Sequence, residues 1–305
     1  IEPIKCFYRI GPIYRMPIED LESYLKQTTH VWTHSIINRY NAKHFKSFNK
    51  ILYIVRDPRD VAISMSHFIF TPYMQKYRPT NTPDSKTFLN RNLKEQLYEW
   101  VNHVGNYLIY KNDLPIHFVF YERLINDFEK ELKGILDFLE IDLSSKKISK
   151  IRNNTSFNKT KNNSPFHLRK GQVKQWITEL SFEHNKISNN IAKPMLDLLN
   201  YPNNDILNTE KLPNCPYQVK VSKIKQIIKQ AKEEYIKEVK NAQKKGNFEK
   251  LRLTVPLDVN ENVCQQKSNQ ITQRMREHPL VFDTRAYSDR IESIFQEVFH
   301  SYLAN

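Results

Sequence analysis

An arginine at the exit of an apolar run and a serine eight residues on could hold an anion between them. They are Arg56 and Ser64, within residues 51–70 (ILYIVRDPRDVAISMSHFIF). A guanidinium offers a planar fork of donors that matches phosphate oxygens. The free N–H groups and positive end of a helix start add to it. The elements that must position these groups lie on either side. Ile51 to Val55 are apolar and mostly β-branched or aromatic, which predicts a buried strand. Asp57 and Pro58 make a turn, because proline cannot continue a ladder and biases its predecessor away from helix. From Arg59 the period is helical, with Val61, Ala62, Met65 and Phe68 on one face. A phosphate is the natural guest of such a strand–turn–helix unit. Taken alone, the string also fits any strand–turn–helix joint of an α/β protein.

Four further groups of residues bear on the same chemistry. Trp32-Thr33-His34 lies upstream, and a histidine titrates near neutral pH, where a general base is needed. Tyr121-Glu122-Arg123-Leu124 follows a second apolar run, IHFVF, at 116–120. Thr155-Ser156-Phe157 opens a polar stretch. Residues 166–176 read FHLRKGQVKQW. There Arg169 offers a fork of donors, Lys170 a point charge, and Gly171 lets the backbone approach an anion closely. Together they could clamp a phosphate from the side opposite Arg56.

In this order, the motifs across residues 32–176 resemble those of the sulfotransferases that use 3′-phosphoadenosine 5′-phosphosulfate. The resemblance implies an α/β fold with a parallel sheet of the P-loop-kinase kind. It implies that Arg56 and Ser64 hold the 3′-phosphate and that Tyr121 contacts the adenine region. Thr155, Ser156 and Phe157 would lie over the nucleotide, and Arg169, Lys170 and Gly171 would close on its phosphate. His34 would be the general base, and adenosine 3′,5′-bisphosphate (PAP) the product. No metal is required. Three departures stand out. Many relatives carry a lysine where this chain has Trp32. The second glycine of the Arg-Lys-Gly-x-x-Gly-x-Trp signature is Lys174 here, which predicts a differently built turn. The family's Pro-Lys-Ser/Thr-Gly-Thr-Thr/Ser-Trp loop is not in the sequence. The expectation is that the numbering starts downstream of that loop; the alternative is a protein that lost it.

Composition bounds the answer. The 305 residues allow one large α/β domain with an appendage. Hydrophobic residues make up 39% and aromatics 12%, enough for a core. Lys+Arg of 47 against Asp+Glu of 33 favours anionic ligands. The basic residues are interleaved with acidic ones in amphipathic stretches, which argues against nucleic acid. Cys6, Cys215 and Cys264 form neither a disulfide framework nor a zinc site, so a reducing cytoplasm is the default. No apolar run approaches the roughly 18 residues of a membrane span.

The coarse layout places a strand at 4–10, a short helix at 19–27 and a strand ending at 31–33. A surface loop covers 71–85. Helices follow at 86–112, 122–139 and 182–199, with a long loop at 153–175. Residues 1–208 read as the core and 209–305 as a mainly helical extension. In the extension, Val221, Ile224, Ile228, Tyr235 and Val239 recur at spacings near 3.5, which suggests a helix-mediated homodimer. Residues 254–279 are irregular, and 287–303 form a last helix. Trp32, Phe68, Phe70 and Tyr73 could line an aromatic acceptor pocket for a phenol or small alcohol. The net charge equally suits an acidic glycan or peptide. Two functions remain open: sulfonate transfer to a hydroxyl or amine, or non-catalytic nucleotide binding by a scaffold that acts through its helical tail.

Overall fold

The computed structural model describes residues 33–39, 41–77, 79–156, 171–202 and 212–246, with Ser23 and Lys26 in helical conformation. The readings at 4–10, 254–279 and 287–303, together with Trp32, Phe157, Arg169 and Lys170, lie outside these residues. So does most of the helix read at 19–27.

Two parallel strands, β1 (Ile51–Val55) and β2 (Ile116–Phe120), pair in register from Ile51↔Ile116 to Val55↔Phe120. Side chains alternate across a strand, and here the alternation feeds two cores. Tyr53, Val55, Ile116, Phe118 and Phe120 enter one, while Leu52, Ile54 and Val119 join the other. Helices cover both faces, so the chain is an α/β fold with an apolar sheet between layers.

The connection between the strands carries α1's successors: α1 is Ala42–Phe45, α2 is Pro58–Phe68, α3 is Pro72–Tyr77 and α4 is Ser85–Tyr110. Asp57 caps α2 by accepting from the Arg59 N–H, and Pro58 fits the first turn, where no N–H is needed. The buried face of α2 is Arg59, Ala62, Ile63 and Ser66. Val61, Met65 and Phe68 are only half-buried, which corrects the expected face. Polar Arg59 occupies inner space that an apolar count assigns elsewhere. The loop read at 71–85 contains α3, because Pro72 starts a helix as readily as it ends one.

The helix read at 122–139 is two: α5 (Tyr121–Asn126) and α6 (Phe128–Leu139). The chain breaks at Asp127, whose φ is −141°. The bend lets Glu131 reach back, accepting the Phe120 N–H at 2.9 Å and pairing with Arg123 Nε at 2.6 Å. Then α7 (Ser145–Asn154) occupies the start of the stretch read as a loop from 153. Two more helices precede the last: α8 (Trp176–Glu179) and α9 (Phe182–Leu198).

Beyond residue 208, α10 (Val221–Lys244) packs against α4 and α9. Its buried stripe is Ile224, Ile227, Ala231, Tyr235, Val239 and Ala242. Most of these residues share one apolar core with Leu93, Leu97 and Val101 of α4. The stripe that suggested a dimer is therefore covered within the chain, and Val221 is exposed. Gly105 sets the approach: a Cβ there would meet Ile228 side-chain atoms at 2.6 Å and Met195 at 3.3 Å. Tyr98 stacks on Tyr235 with centroids 5.1 Å apart. Among the described residues no helix is long and apolar enough to cross a membrane.

Candidate active site

The site is built where β1 ends. Arg56 leaves the strand with its side chain one-fifth exposed. Its guanidinium lies over the Tyr121 ring, 4.4 Å from the centroid, and Nη2 donates to the Gln172 carbonyl at 3.1 Å. The Trp100 indole N–H donates to the Arg56 carbonyl at 3.0 Å. Arg56 Nε is buried and carries no hydrogen bond among the described residues. Three sequence-flagged positions therefore come together: Arg56, Tyr121 and the backbone next to Gly171. Ser64 is half-buried on α2, two turns on from Arg56.

The 171–176 segment is held against α2 from several directions. The Trp176 N–H donates to Asp60 Oδ1 at 3.0 Å. The Arg59 guanidinium stacks over the Trp176 ring at 3.6 Å. His67 and Glu179 approach to 3.7 Å. Gly171 has a φ of 62° and Lys174 a φ of 61°. Lys174 thus adopts the left-handed conformation that glycine takes most easily. The surrounding ties hold the lysine in that conformation.

Behind the turn lies a fully buried polar network. Asp57 grips Arg59 with Oδ1 accepting from Nε at 2.9 Å and Oδ2 from Nη2 at 2.6 Å. Arg59 Nη2 also donates to the Pro202 carbonyl at 2.8 Å. Glu122 accepts the Asp57 N–H on Oε1 at 2.8 Å and the Tyr201 hydroxyl on Oε2 at 3.1 Å. Burial, above all, raises the Glu122 carboxyl to about 8, so it is mostly protonated at neutral pH. Burial and then the Asp57 charge raise Asp60 to about 6, against the pull of Arg56 and of the Trp176 and Lys174 N–H groups.

His34 sits on the segment that precedes α1. A Thr33 turn (Ser35 N–H to Thr33 Oγ1 at 3.0 Å) and buried Ser35, Ile36 and Ile37 anchor that segment. Two residues of α4 latch it. The Tyr107 hydroxyl donates to the Ser35 carbonyl at 3.0 Å, and His103 Nε2 lies 3.3 Å from the His34 carbonyl. His103 Nδ1 meets the Tyr53 hydroxyl at 2.7 Å. Burial pushes His103 down to about 4, so the neutral ring donates from Nε2 and accepts on Nδ1. The His34 side chain is exposed. Partial desolvation lowers its pKa from the ordinary imidazole value. His103, Tyr107 and Tyr53 were not flagged in the sequence. The signal was there: a histidine and a tyrosine at i, i+4 inside the otherwise apolar stripe of α4.

The remaining sequence-flagged residues are spread around this centre. Thr155 ends α7 and is buried, with Oγ1 donating to the Ile151 carbonyl at 2.8 Å. Ser156 beside it is half-buried, as are Phe68 and Phe70 at the end of α2. Tyr73 lies in α3.

The family described as "Sulfotransferase domain" matches residues 14–200. Amine sulfotransferase of Oryctolagus cuniculus is 28% identical over 157 residues, covering 45% of this chain and 51% of that protein. Sulfotransferase 1B1 of Canis lupus familiaris is 32% identical over 116 residues, covering 37% of this chain and 38% of that protein. Among solved structures, mouse sulfotransferase SULT7A1 complexed with PAP is 32% identical, with 48% of this chain and 56% of that chain covered and a TM-score of 0.41. Retinol dehydratase in complex with androsterone and inactive cofactor PAP is 26% identical, with 52% and 50% covered and a TM-score of 0.43. The chain spans about half the length of the curated relatives it matches.

Proposed function

Because the chain belongs to the sulfotransferase family, we propose that it moves a sulfonate group from 3′-phosphoadenosine 5′-phosphosulfate to an acceptor hydroxyl. The donor supplies the activated sulfonate and, in the bisphosphate, a stable leaving group. His34 takes the acceptor's proton as the new S–O bond forms and the old one breaks. Arg56 and Ser64 hold the 3′-phosphate, with Arg169, Lys170 and Gly171 on the opposite side. Tyr121 flanks the adenine region. Thr155, Ser156 and Phe157 cover the nucleotide. Half-buried Phe68 and Phe70, with Trp32 and Tyr73, form an apolar acceptor pocket for a small molecule. An amine is the second acceptor class, favoured by the likeness to amine sulfotransferase. A reducing cytoplasm suits the free thiol of Cys215.

The observation that carries this reading is Arg56. Its guanidinium is oriented by a ring and a carbonyl, and a buried Nε remains without a hydrogen bond among the described residues. A buried donor of that kind is expensive unless a ligand completes it. The residues therefore fit a phosphate. Calorimetric titration with adenosine 3′,5′-bisphosphate, against adenosine 5′-monophosphate as control, tests it. The expected result is tighter binding of the bisphosphate, lost in Arg56→Ala. Equal affinity for the two nucleotides would overturn the assignment.

A further inference from the structure

A carboxylate stands where an anion site would least favour one. The Asp60 side chain is wholly out of solvent, 3.9 Å from Arg56 Nη2. One oxygen accepts the Trp176 N–H. The other is buried with no hydrogen bond. Its charge opposes an incoming phosphate, and Asp57 beside it adds to the burden. A carboxylate held in place against such electrostatics calls for a compensating geometric role.

The 171–176 turn identifies that role. Two of its residues are left-handed, and one of them is a lysine. Such a conformation persists only where the surroundings over-determine it. Asp60 is one of the groups that do so, because it ties the turn's last amide to α2, while the Lys174 N–H also favours its charged form. We propose that Asp60 is a positioning residue that fastens the 171–176 turn onto α2, so that the Gly171–Gln172 backbone stays against Arg56 at the anion site. This inference rests on the nucleotide-site reading above. It places the fastening in the acceptor oxygen rather than in the negative charge. An amide of the same shape would then serve as well.

Three variants separate these roles. Amide hydrogen exchange at Trp176 is measured first, then bisphosphate affinity by calorimetry. Asp60→Ala is expected to speed exchange at Trp176 and weaken bisphosphate binding, each by about tenfold or more, the size of a lost buried hydrogen bond. Asp60→Asn is expected to retain both, and its affinity should equal or exceed the parent's, since a negative charge has left an anion site. Asp60→Glu keeps the charge but shifts the oxygen, and is expected to fail as alanine does; it decides the point even if the alanine variant does not fold. Unchanged Trp176 exchange in Asp60→Ala, or an asparagine variant as impaired as the alanine one, would overturn the proposal. If the parent chain itself shows no preference for the bisphosphate, the nucleotide reading fails, and the exchange data still decide whether Asp60 fastens the turn.

Discussion

Asp57 and Arg59 hold each other through two hydrogen bonds, at 2.9 and 2.6 Å, with both side chains almost completely buried. The pair spans only two residues yet joins three parts of the fold. Asp57 caps α2, Arg59 stacks over Trp176, and the Arg59 guanidinium reaches the Pro202 carbonyl. Arg59→Ala would strand the Asp57 carboxylate in a dry site and remove the cation from Trp176. Breaking one side of a buried pair costs about 3–5 kcal/mol. A urea titration should show that loss, with Arg59→Lys recovering only part of it because an ammonium cannot form the two-point grip. A loss below about 1 kcal/mol would place this pair among ion pairs of surface strength.

Glu122 should make stability depend on pH in a particular direction. Its carboxyl is raised to about 8 in the fold, against an ordinary value of 4.5. Between those values the folded chain holds a proton that the unfolded chain has released. Stability therefore falls as pH rises through this window, by at most about 1.4 kcal/mol per pH unit. Asp60, raised to about 6, adds the same sign at the lower end. His103, pushed down to about 4, has the opposite sign between that value and 6.5. The clean window is thus from 6.5 to 8. Glu122→Gln stays neutral and can still accept the Asp57 N–H, so its stability should be flat there. Melting temperatures across pH 6.5–8 that fall equally in both proteins would remove Glu122 as the cause.

Both strands and the long helix α4 were legible because their signals are local: unbroken β-branched runs in Ile51–Val55 and Ile116–Phe120, and a long apolar stripe. What escaped the sequence depends on distant partners. The break at Asp127 follows from Glu131 reaching the β2 backbone, which no periodicity encodes. The α2 face was misjudged because Arg59, the most polar of its residues, is buried by Asp57, Trp176 and Pro202. The stripe on α10 was found, but nothing local shows that α4 and α9 cover it. Of the candidate site, Arg56 and Tyr121 were legible from their place at strand ends. The latch of His103 and Tyr107 was hidden by counting only apolar residues on α4.

Lys174 tests how firmly the turn is held. A left-handed residue with a Cβ costs about 1 kcal/mol relative to glycine. Lys174→Gly should therefore stabilise the fold by at most about 0.6 kcal/mol, after the greater freedom of glycine in the unfolded chain is counted. Bisphosphate affinity should change little, since the ties to Asp60 and Gln172 are backbone contacts. A urea midpoint that falls in this variant would mean that the lysine side chain contributes contacts outweighing its strain.

His34 and Arg56 should separate kinetically. Removing a general base lowers turnover by about 10²–10⁴-fold. His34→Ala is expected to do this while leaving bisphosphate affinity unchanged, whereas Arg56→Ala should weaken the nucleotide first. The latch adds a third variant. His103→Phe keeps a ring against Tyr53 and Tyr107 but loses the contacts at 2.7 and 3.3 Å. The segment carrying His34 would then be less firmly placed. A misplaced catalytic group loses rate before it loses binding, so turnover should fall by about tenfold at unchanged nucleotide affinity. Turnover with a phenol acceptor, set beside bisphosphate titration of the same variants, checks all three. Near-normal turnover in His34→Ala would take the base role from this histidine and the positioning role from His103 with it.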